Sequence, residues 1–240
     1  MKRFFVLPVF TAMVISSCHY INRDKINGSG KVITQNRSFS GFTDVDVSNS
    51  IVLYVRQDSV FSVRVETDDN LQQYIITRQD GNTLHIEQKD NTHLDATGKI
   101  KVYVSAPAFK NLDASGACHI KGETLLTATD EIDVDVSGAS SAELELKAPR
   151  IYGEMTGASH LKLKGQTKDL RIEGTGASHA HCFDLLSENT DVDVTGASSA
   201  EVFASVKLNA GASGASDVRY KGNAEVGQNV SGAASVKKAE

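Results

Sequence analysis

A three-residue pattern, Ser or Thr followed by Gly and Ala, recurs seven times in the second half of the chain and constrains the fold more than any other feature. The glycines of these copies are Gly116, Gly138, Gly157, Gly176, Gly196, Gly214 and Gly232, so successive copies lie 22, 19, 19, 20, 18 and 18 residues apart. Residues two and four positions before each glycine, and four and six positions after it, are mostly apolar. Such alternation is typical of strands. Each period therefore predicts a strand, a tight bend, a second strand and a turn.

A repeat of this size cannot bury its own apolar face, so it must stack on copies of itself. The sequence predicts an all-β fold, a right-handed parallel β-helix (β-solenoid) with rungs of 18–22 residues. Right-handedness is expected because parallel crossover connections are overwhelmingly right-handed. Glycine suits the bend because it tolerates a positive φ. Five of the seven triplets are followed by a serine that is expected to be structural, and these residues are Ser140, Ser159, Ser178, Ser198 and Ser216.

The first half of the chain is also rich in strand patterns and contains a degenerate copy of the repeat. Residues 44–50 match residues 133–139, with Asn49 in place of glycine. We expect one β-helix domain over 31–240, with irregular N-terminal rungs at 31–105 that close the core and repeat rungs at 106–240. A hairpin turn is predicted at Asp80-Gly81-Asn82 and a short helix at 69–75. Cys118 and Cys182 fall three turns apart, about 14 Å, which is too far for a disulfide.

The N-terminus has the pattern of an export signal. Lys2 and Arg3 precede an apolar run at 4–15 that is too short to span a bilayer, and Ile15-Ser16-Ser17-Cys18 resembles a bacterial lipobox. We expect a signal peptide at 1–17, acylation of Cys18 and a flexible polar tether at 18–30; an ordinary secretory signal is the alternative. The chain is thus predicted to be a lipoprotein of the cell envelope that is anchored in the outer membrane, on either its periplasmic or its surface face.

Composition lowers the expectation of several function classes. Lys and Arg total 25 against 30 Asp and Glu, a net charge of −5, and no basic block occurs in the body of the chain, so no nucleic-acid partner is predicted. The short turns leave little chain to wall a catalytic cleft, and the chain has no Trp for sugar stacking. We therefore predict no enzymatic activity and no cofactor beyond weak calcium binding.

The outward positions of the predicted strands contain three groups of candidate residues. Acids stand three positions before the glycine on five successive rungs, and a strip of this kind offers carboxylate oxygens to calcium; the alternative is an exposed charged column relieved by Arg171 and Lys162. His119, His160 and His179 share another offset, but no third ligand is identifiable, so no metal site is predicted. Phe183 and Phe203 are expected to contact a sugar or a partner, or to be covered by a neighbouring turn. The acids are Asp113, Asp135, Glu154, Glu173 and Asp193.

The sequence resembles the head GIN domain family of auto-transporter adhesins. The resemblance rests on the lipoprotein leader, the segments Phe39 to Ser48 and Val63 to Leu71, and the Ser-Gly-Ala-Ser rungs, and it covers nearly all of the chain after the leader. It implies a right-handed parallel β-helix on the surface or in the periplasm of a bacterium with two membranes. The family carries no catalytic motif to transfer.

Together these features predict an exported, lipid-anchored envelope protein that acts as an adhesin-like binding protein or as a scaffold. Its partners would be the membrane, a glycan or surface protein, and a second copy meeting it through a sheet face or an end of the helix. The alternative is a β-helix that binds or cleaves polysaccharide. A strongly perturbed pKa inside a concave pocket would favour the enzyme.

Overall fold

The computed structural model describes residues 24–240, and this part of the protein is built almost entirely of strands. The strands are β1 (Asp24–Asn27), β2 (Val32–Arg37), β3 (Asp44–Ser48), β4 (Val52–Gln57), β5 (Ser62–Asp68), β6 (Ile75–Asp80), β7 (Thr83–Gln88), β8 (Thr92–Asp95), β9 (Lys101–Ala106), β10 (Asn111–Ser115), β11 (His119–Thr127), β12 (Glu131–Val136), β13 (Ser141–Met155), β14 (His160–Gly174), β15 (His179–Cys182), β16 (Leu185–Val194), β17 (Ser199–Phe203), β18 (Lys207–Ala212), β19 (Asp217–Lys221), β20 (Glu225–Val230) and β21 (Ser235–Lys238).

The strands stack in parallel into two sheets that face each other across the core. Face A contains the strands that precede the glycine bends, namely β3, β10, β12, the second halves of β13 and β14, β16, β18 and β20. Face B contains those that follow the bends, namely β4, β11, the first halves of β13 and β14, β15, β17, β19 and β21. The predicted β-solenoid is confirmed, with about six turns.

Alternate residues of both faces point into one continuous core, as the two-residue period of a strand requires. In face A the column four positions before the glycine includes Leu112, Val134, Ile172 and Val192, and each of these side chains is fully buried. Because equivalent apolar residues stack directly on each other, every turn covers the apolar face of the turn beneath it.

The glycine bend between the two faces has the geometry that the repeat predicts. Each repeat glycine has a positive φ, for example +88° at Gly176. A Cβ at that position would lie 2.6 Å from the carbonyl oxygen of Gly157 in the turn below. The following alanine, Ala177, donates its backbone N–H to that same carbonyl at 2.8 Å. Only glycine fits a corner where backbone lies on backbone at this distance.

The N-terminal end contains the degenerate copy and a cap that differs from the repeat turns. Strand β3 pairs with β10 in the predicted register, and Asn49 and Ser50 adopt positive φ values of 66° and 61° in place of glycine. Beyond this turn the stack changes direction, because β5 pairs antiparallel with β9 and β2 antiparallel with β5. The predicted hairpin at residues 80–82 joins the antiparallel strands β6 and β7. The sequence did not indicate the antiparallel strands that cover this end.

Part of the predicted tether belongs to the folded structure, which corrects the expectation of flexibility over 18–30. Strand β1 pairs in parallel with β8. The buried carboxylate of Asp68 then accepts hydrogen bonds from the backbone N–H of Gly30 at 2.8 Å and from the backbone and hydroxyl of Thr97 at 2.9 and 2.8 Å. Burial raises the pKa of Asp68, but these hydrogen bonds outweigh it and the net pKa is lowered. The charged Asp68 therefore fastens residues 24–30 to the cap.

Three further predictions concern the helix, the cysteines and the leader. Residues 72–74 form one 3-10 turn, Gln72–Tyr74, instead of a helix over 69–75, because residues 69–71 form a turn after β5 and β6 begins already at Ile75. Cys118 and Cys182 are both free and buried, as predicted. The signal peptide and the acylated Cys18 lie outside the described residues.

Candidate functional site

The outward side of face B contains ion pairs between neighbouring turns. In one column the two acids Glu143 and Glu201 each stand between basic residues of the adjacent strands. Glu143 pairs with Lys162 at 2.7 Å, and Glu201 pairs with Arg219 at 3.1 Å and with His181 at 3.0 Å. One column further along the strands, Lys164 pairs with Glu145 at 3.0 Å. In these pairs, charged side chains of face B bind one another.

The outward side of face A, by contrast, contains a continuous column of acids. The strand pairings place Asp113 beside Asp135, Asp135 beside Glu154, Glu154 beside Glu173, and Glu173 beside Asp193. The predicted column is therefore real. Strand β3 extends it by one member, Asp46, which contacts His85 Nδ1 at 2.9 Å.

Two more columns run beside the acidic column, and sequence reasoning did not single them out as a unit. The middle column contains Asp44, Asn111, Asp133, Tyr152, Arg171, Asp191 and Asn209. The outer column contains Glu131, Arg150, Asp169, Asn189, Lys207 and Glu225. Aligning the positions five and seven residues before each glycine would have found both columns. Neither column is uniform in residue type, so a search for outward positions that repeat one residue type does not find them.

The middle and outer columns line a groove of about 770 Å³ along face A. Asn189 donates its side-chain amide to Asp169 at 2.8 Å, and Arg150 pairs with Glu131 at 2.8 Å. Planar amide, carboxylate and guanidinium groups thus line the groove, and each can make two hydrogen bonds side by side. The polar side chains that line it are Glu131, Asp133, Arg150, Tyr152, Asp169, Arg171, Glu173, Asn189, Asp191, Lys207 and Asn209.

Arg171 and Tyr152 organise the centre of this groove. The guanidinium of Arg171 hydrogen-bonds the carboxylate of Glu173 and lies 5.6 Å from the ring centre of Tyr152. The Tyr152 hydroxyl lies 3.0 Å from carboxylate oxygens of both Glu154 and Glu173. Burial and these carboxylates raise the pKa of Tyr152. Arg171 thus offsets part of the negative charge of the acidic column, as the alternative prediction stated. Lys162, the other residue named in that prediction, does not, because it belongs to face B and pairs with Glu143.

At the N-terminal end of the acidic column, Asp113 and Asp135 lie side by side, and of their neighbours Asp133 has one cation, Arg150, within range. Burial, then repulsion from Asp113, a hydrogen bond to Asp113 and repulsion from Glu154 raise the pKa of Asp135 to about 7. Burial and the charges of Glu131 and Asp135 raise the pKa of Asp133 to about 6. One oxygen of each of these two side chains is buried and has no hydrogen-bond partner within residues 24–240. Asp133 also lines the groove. A raised pKa inside a concave pocket, the feature that would favour an enzyme, is therefore present in part.

The aromatic candidates occupy neighbouring turns of face B. Phe183 follows Cys182 and Phe203 follows Val202, and Cys182 pairs directly with Val202. Both phenylalanine side chains are half-buried, and the Lys221 ammonium lies 4.8 Å from the ring centre of Phe183. The lysine therefore covers part of the surface on which a sugar would stack.

The histidine candidates form a column near the start of the face B strands. Strand pairing places His119 beside Ser141, Ser141 beside His160, His160 beside His179, and His179 beside Ser199. Within residues 24–240 no group of three or more His, Cys, Asp or Glu side chains is arranged to hold a metal ion. In the same range no helix is long and apolar enough to cross a membrane.

Comparison with solved structures finds the same architecture in proteins of Bacteroides and Parabacteroides. A "putative adhesin" from Bacteroides fragilis matches with a TM-score of 0.82 and 19% identity, over 89% of this chain and 100% of that one. A "putative lipid binding protein" from Parabacteroides distasonis matches with a TM-score of 0.73 and 19% identity, over 90% of this chain and 100% of that one. A "putative adhesin" from Parabacteroides merdae matches with a TM-score of 0.70 and 22% identity, with the same coverage. At these identities the likeness concerns the fold.

No functionally curated protein matches the chain. The family model described as "Putative auto-transporter adhesin, head GIN domain" matches residues 41–224, which extends from the degenerate first copy to the turn before the last. This range contains six of the seven repeat glycine corners, the acidic column and the groove. The protein belongs to the family of head GIN domain auto-transporter adhesins.

Proposed function

We propose that the protein is an exported, lipid-anchored, adhesin-like binding protein of the cell envelope, and that the groove on face A is its ligand-contact surface. The observation that carries this proposal is the contrast between the two faces. On face B the acids Glu143 and Glu201 are paired with cations of neighbouring turns, whereas face A has a continuous acidic column beside a polar groove of about 770 Å³ in which acids outnumber bases. A stable fold alone does not need such an arrangement, because unpaired acids repel one another.

The chemistry of the groove fits a glycan better than a lipid. Sugar hydroxyl groups are bound by planar polar side chains that make paired hydrogen bonds, and Asn189, Asp191 and Asn209 stand on neighbouring turns of the groove. A lipid tail would need a lining that is mainly apolar. The adhesin names of two similar structures agree with this choice, and the lipid-binding name of another points to the alternative.

Calcium enters the proposal through the acidic column. The backbones of adjacent turns are about 5 Å apart, so carboxylate groups on neighbouring turns lie close to one another. Calcium accepts oxygen ligands from several side chains. These ligands would come from the side chains of Asp135, Glu154 and Glu173. A bound calcium ion would reduce the repulsion between Asp135 and its neighbouring acids, which together with burial raises the pKa of Asp135. We infer that glycan binding at the groove strengthens when calcium is present.

The test is a glycan and matrix-protein array with the purified protein, run with calcium and again with a chelator. We expect saturable glycan binding that falls at least tenfold in the double variant Asn189→Ala, Asn209→Ala. The calcium-dependent part is expected to disappear when Asp135, Glu154 and Glu173 are replaced by Asn or Gln. Lys164→Gln, an exposed change on face B, is the matched control and should bind as the parent does. A blank array, or equal binding by the groove variants, would overturn the proposal.

A second function is favoured by one specific observation, the raised pKa of Asp133 at the edge of the groove. A carboxyl group protonated near neutral pH can serve as a general acid, and cleavage of a glycosidic bond needs one beside a second carboxylate. The same glycan panel therefore includes an assay for cleavage. Cleavage that Asp133→Asn abolishes while binding persists would establish the enzyme, and intact glycans after prolonged incubation would exclude it.

A further inference from the structure

His160 and His179 stand next to each other on adjacent strands of face B, far from the groove. Their backbones are in register, and their ring centres lie 5.2 Å apart with the ring planes tilted by 38°. His160 is exposed and His179 is half-buried, so solvent ions reach the pair.

The spacing of the two rings is that of two imidazoles bound to one metal ion. A zinc–nitrogen bond is about 2.0–2.1 Å long, which places each ring centre about 3.2 Å from the ion. Two such ligands at the tetrahedral angle then have ring centres about 5.2 Å apart, whereas a right angle would bring them to about 4.5 Å. The observed separation of 5.2 Å, which follows from the register of the adjacent strands, allows both rings to reach one tetrahedral ion.

The neighbours of the pair favour a metal-binding form of the ring. His179 Nδ1 lies 2.6 Å from Ser199 Oγ, the next residue in the column. A hydrogen bond at one ring nitrogen fixes the ring and leaves the other nitrogen free to bind metal, which is how ligating histidines are usually held. The nearest ammonium along the strand, Lys162, is paired with Glu143 at 2.7 Å and so directs its charge away from the imidazoles.

The geometry points to a two-histidine site, formed by His160 and His179, for a divalent transition-metal ion of the zinc class. Solvent molecules or a group from a bound partner would complete the coordination sphere, so the affinity is expected to be lower than that of a four-ligand structural zinc site. The inference does not depend on the groove, because the two sites lie on opposite faces of the solenoid.

The test uses ZnCl₂ titrated into the purified full-length protein and followed by isothermal titration calorimetry. We expect one saturable site that requires both rings, so that His160→Gln and His179→Gln each weaken binding at least tenfold. His119→Gln is the matched control. It has the same offset and the same bond to a serine hydroxyl, His119 Nδ1 to Ser141 Oγ at 2.7 Å, but Ser141 separates it from the next histidine.

Folding is checked independently, since the three positions are on the surface and each variant should unfold at the parent's temperature without metal. Addition of Zn²⁺ should raise that temperature in the parent and in His119→Gln only. The inference is wrong if the parent shows no saturable Zn²⁺ binding. It is equally wrong if His160→Gln and His179→Gln bind Zn²⁺ as tightly as the parent does.

Discussion

At the scale of single residues, the behaviour of each carboxylate depends on whether a cation or a donor is within reach. Glu173 has Arg171, and its pKa is lowered by that hydrogen bond. Asp68 has three donors and is likewise held charged. Asp135 has only other acids beside it, and its pKa is raised to about 7 by burial and by Asp113. The same residue type therefore stabilises one end of the molecule and destabilises its acidic column.

Asp135 leads to a prediction about stability and pH. A carboxyl whose pKa is higher in the folded state binds a proton on folding, so its contribution is present at low pH and is lost as the pH rises through the folded value. For Asp135 this loss falls between about pH 4 and 7. We expect Asp135→Asn to raise the free energy of unfolding at pH 8 by about 1–2 kcal/mol, with little change at pH 5.

Urea unfolding measured at pH 5 and at pH 8 checks this prediction. Asp90→Asn, in an exposed turn, is the control and should keep the parent's difference between the two pH values. The prediction fails if Asp135→Asn keeps that difference as well.

At the scale of structural elements, the corner between the two faces determines how closely the turns approach. Adding a side chain at a corner glycine lowers the free energy of unfolding for two separate reasons. The residue must keep a positive φ, and its Cβ contacts the carbonyl group of the turn below. Gly41 isolates the first cost, since it has a φ of +78° and open space around its Cβ position. Gly176 combines both, with a φ of +88° and the Gly157 oxygen 2.6 Å from the added carbon.

Substitutions by alanine should separate these two costs. We expect Gly41→Ala to lower the free energy of unfolding by about 1–2 kcal/mol, the cost of a left-handed conformation. Gly176→Ala should lower it by about 3–4 kcal/mol, because the backbone of two turns must also move apart. Gly98→Ala, with no contact within 4 Å and no positive φ, should have almost no effect. Chemical denaturation measures all three, and equal losses at positions 41 and 176 would contradict the role of close stacking.

Elements governed by the repeat could be predicted from sequence, and the capping elements could not. The glycine spacing places Asp113, Asp135 and Glu154 on adjacent strands, because a stacked turn fixes the register of every outward position. The antiparallel strands β2 and β5 have the same alternating pattern as parallel ones, so nothing local distinguishes them, whereas the Asp80-Gly81-Asn82 turn did indicate that β6 and β7 pair antiparallel. The groove was missed for a related reason, since its two columns are of mixed residue type and become visible in the sequence only when the positions five and seven residues before each glycine are aligned.

At the scale of the whole molecule, the solenoid is a one-dimensional array in which each repeat turn contacts only its neighbours. Such an array tolerates the loss of a complete unit, because the remaining surfaces are equivalent. Removing residues 177–196 joins Gly176 to Ala197 and leaves the Thr-Gly-Ala-Ser corner intact. Ile172 would then stack on Ala210, and Leu161 on Ala200, which are all inward positions.

We expect the chain lacking residues 177–196 to fold into a shorter solenoid that unfolds cooperatively, because every column keeps its register. The chain lacking only residues 177–186 is the matched control, since half a turn brings strands of face A against face B. Circular dichroism and thermal unfolding distinguish the two. A cooperative transition in the half-turn deletion, or none in the full-turn deletion, would contradict the modular description.

The one-sided bonding of the last strands determines how the molecule carries a pulling force. Within the described chain, β20 pairs only with β18 and β21 only with β19, whereas the first turns are covered by antiparallel strands and fastened through Asp68. If a ligand binds in the groove as proposed, tension that enters at residue 24 and leaves through that ligand passes through the cap and the middle turns. The turns beyond the groove lie outside this load path, so the weakest end of the solenoid stays unstressed while the bound molecule is pulled.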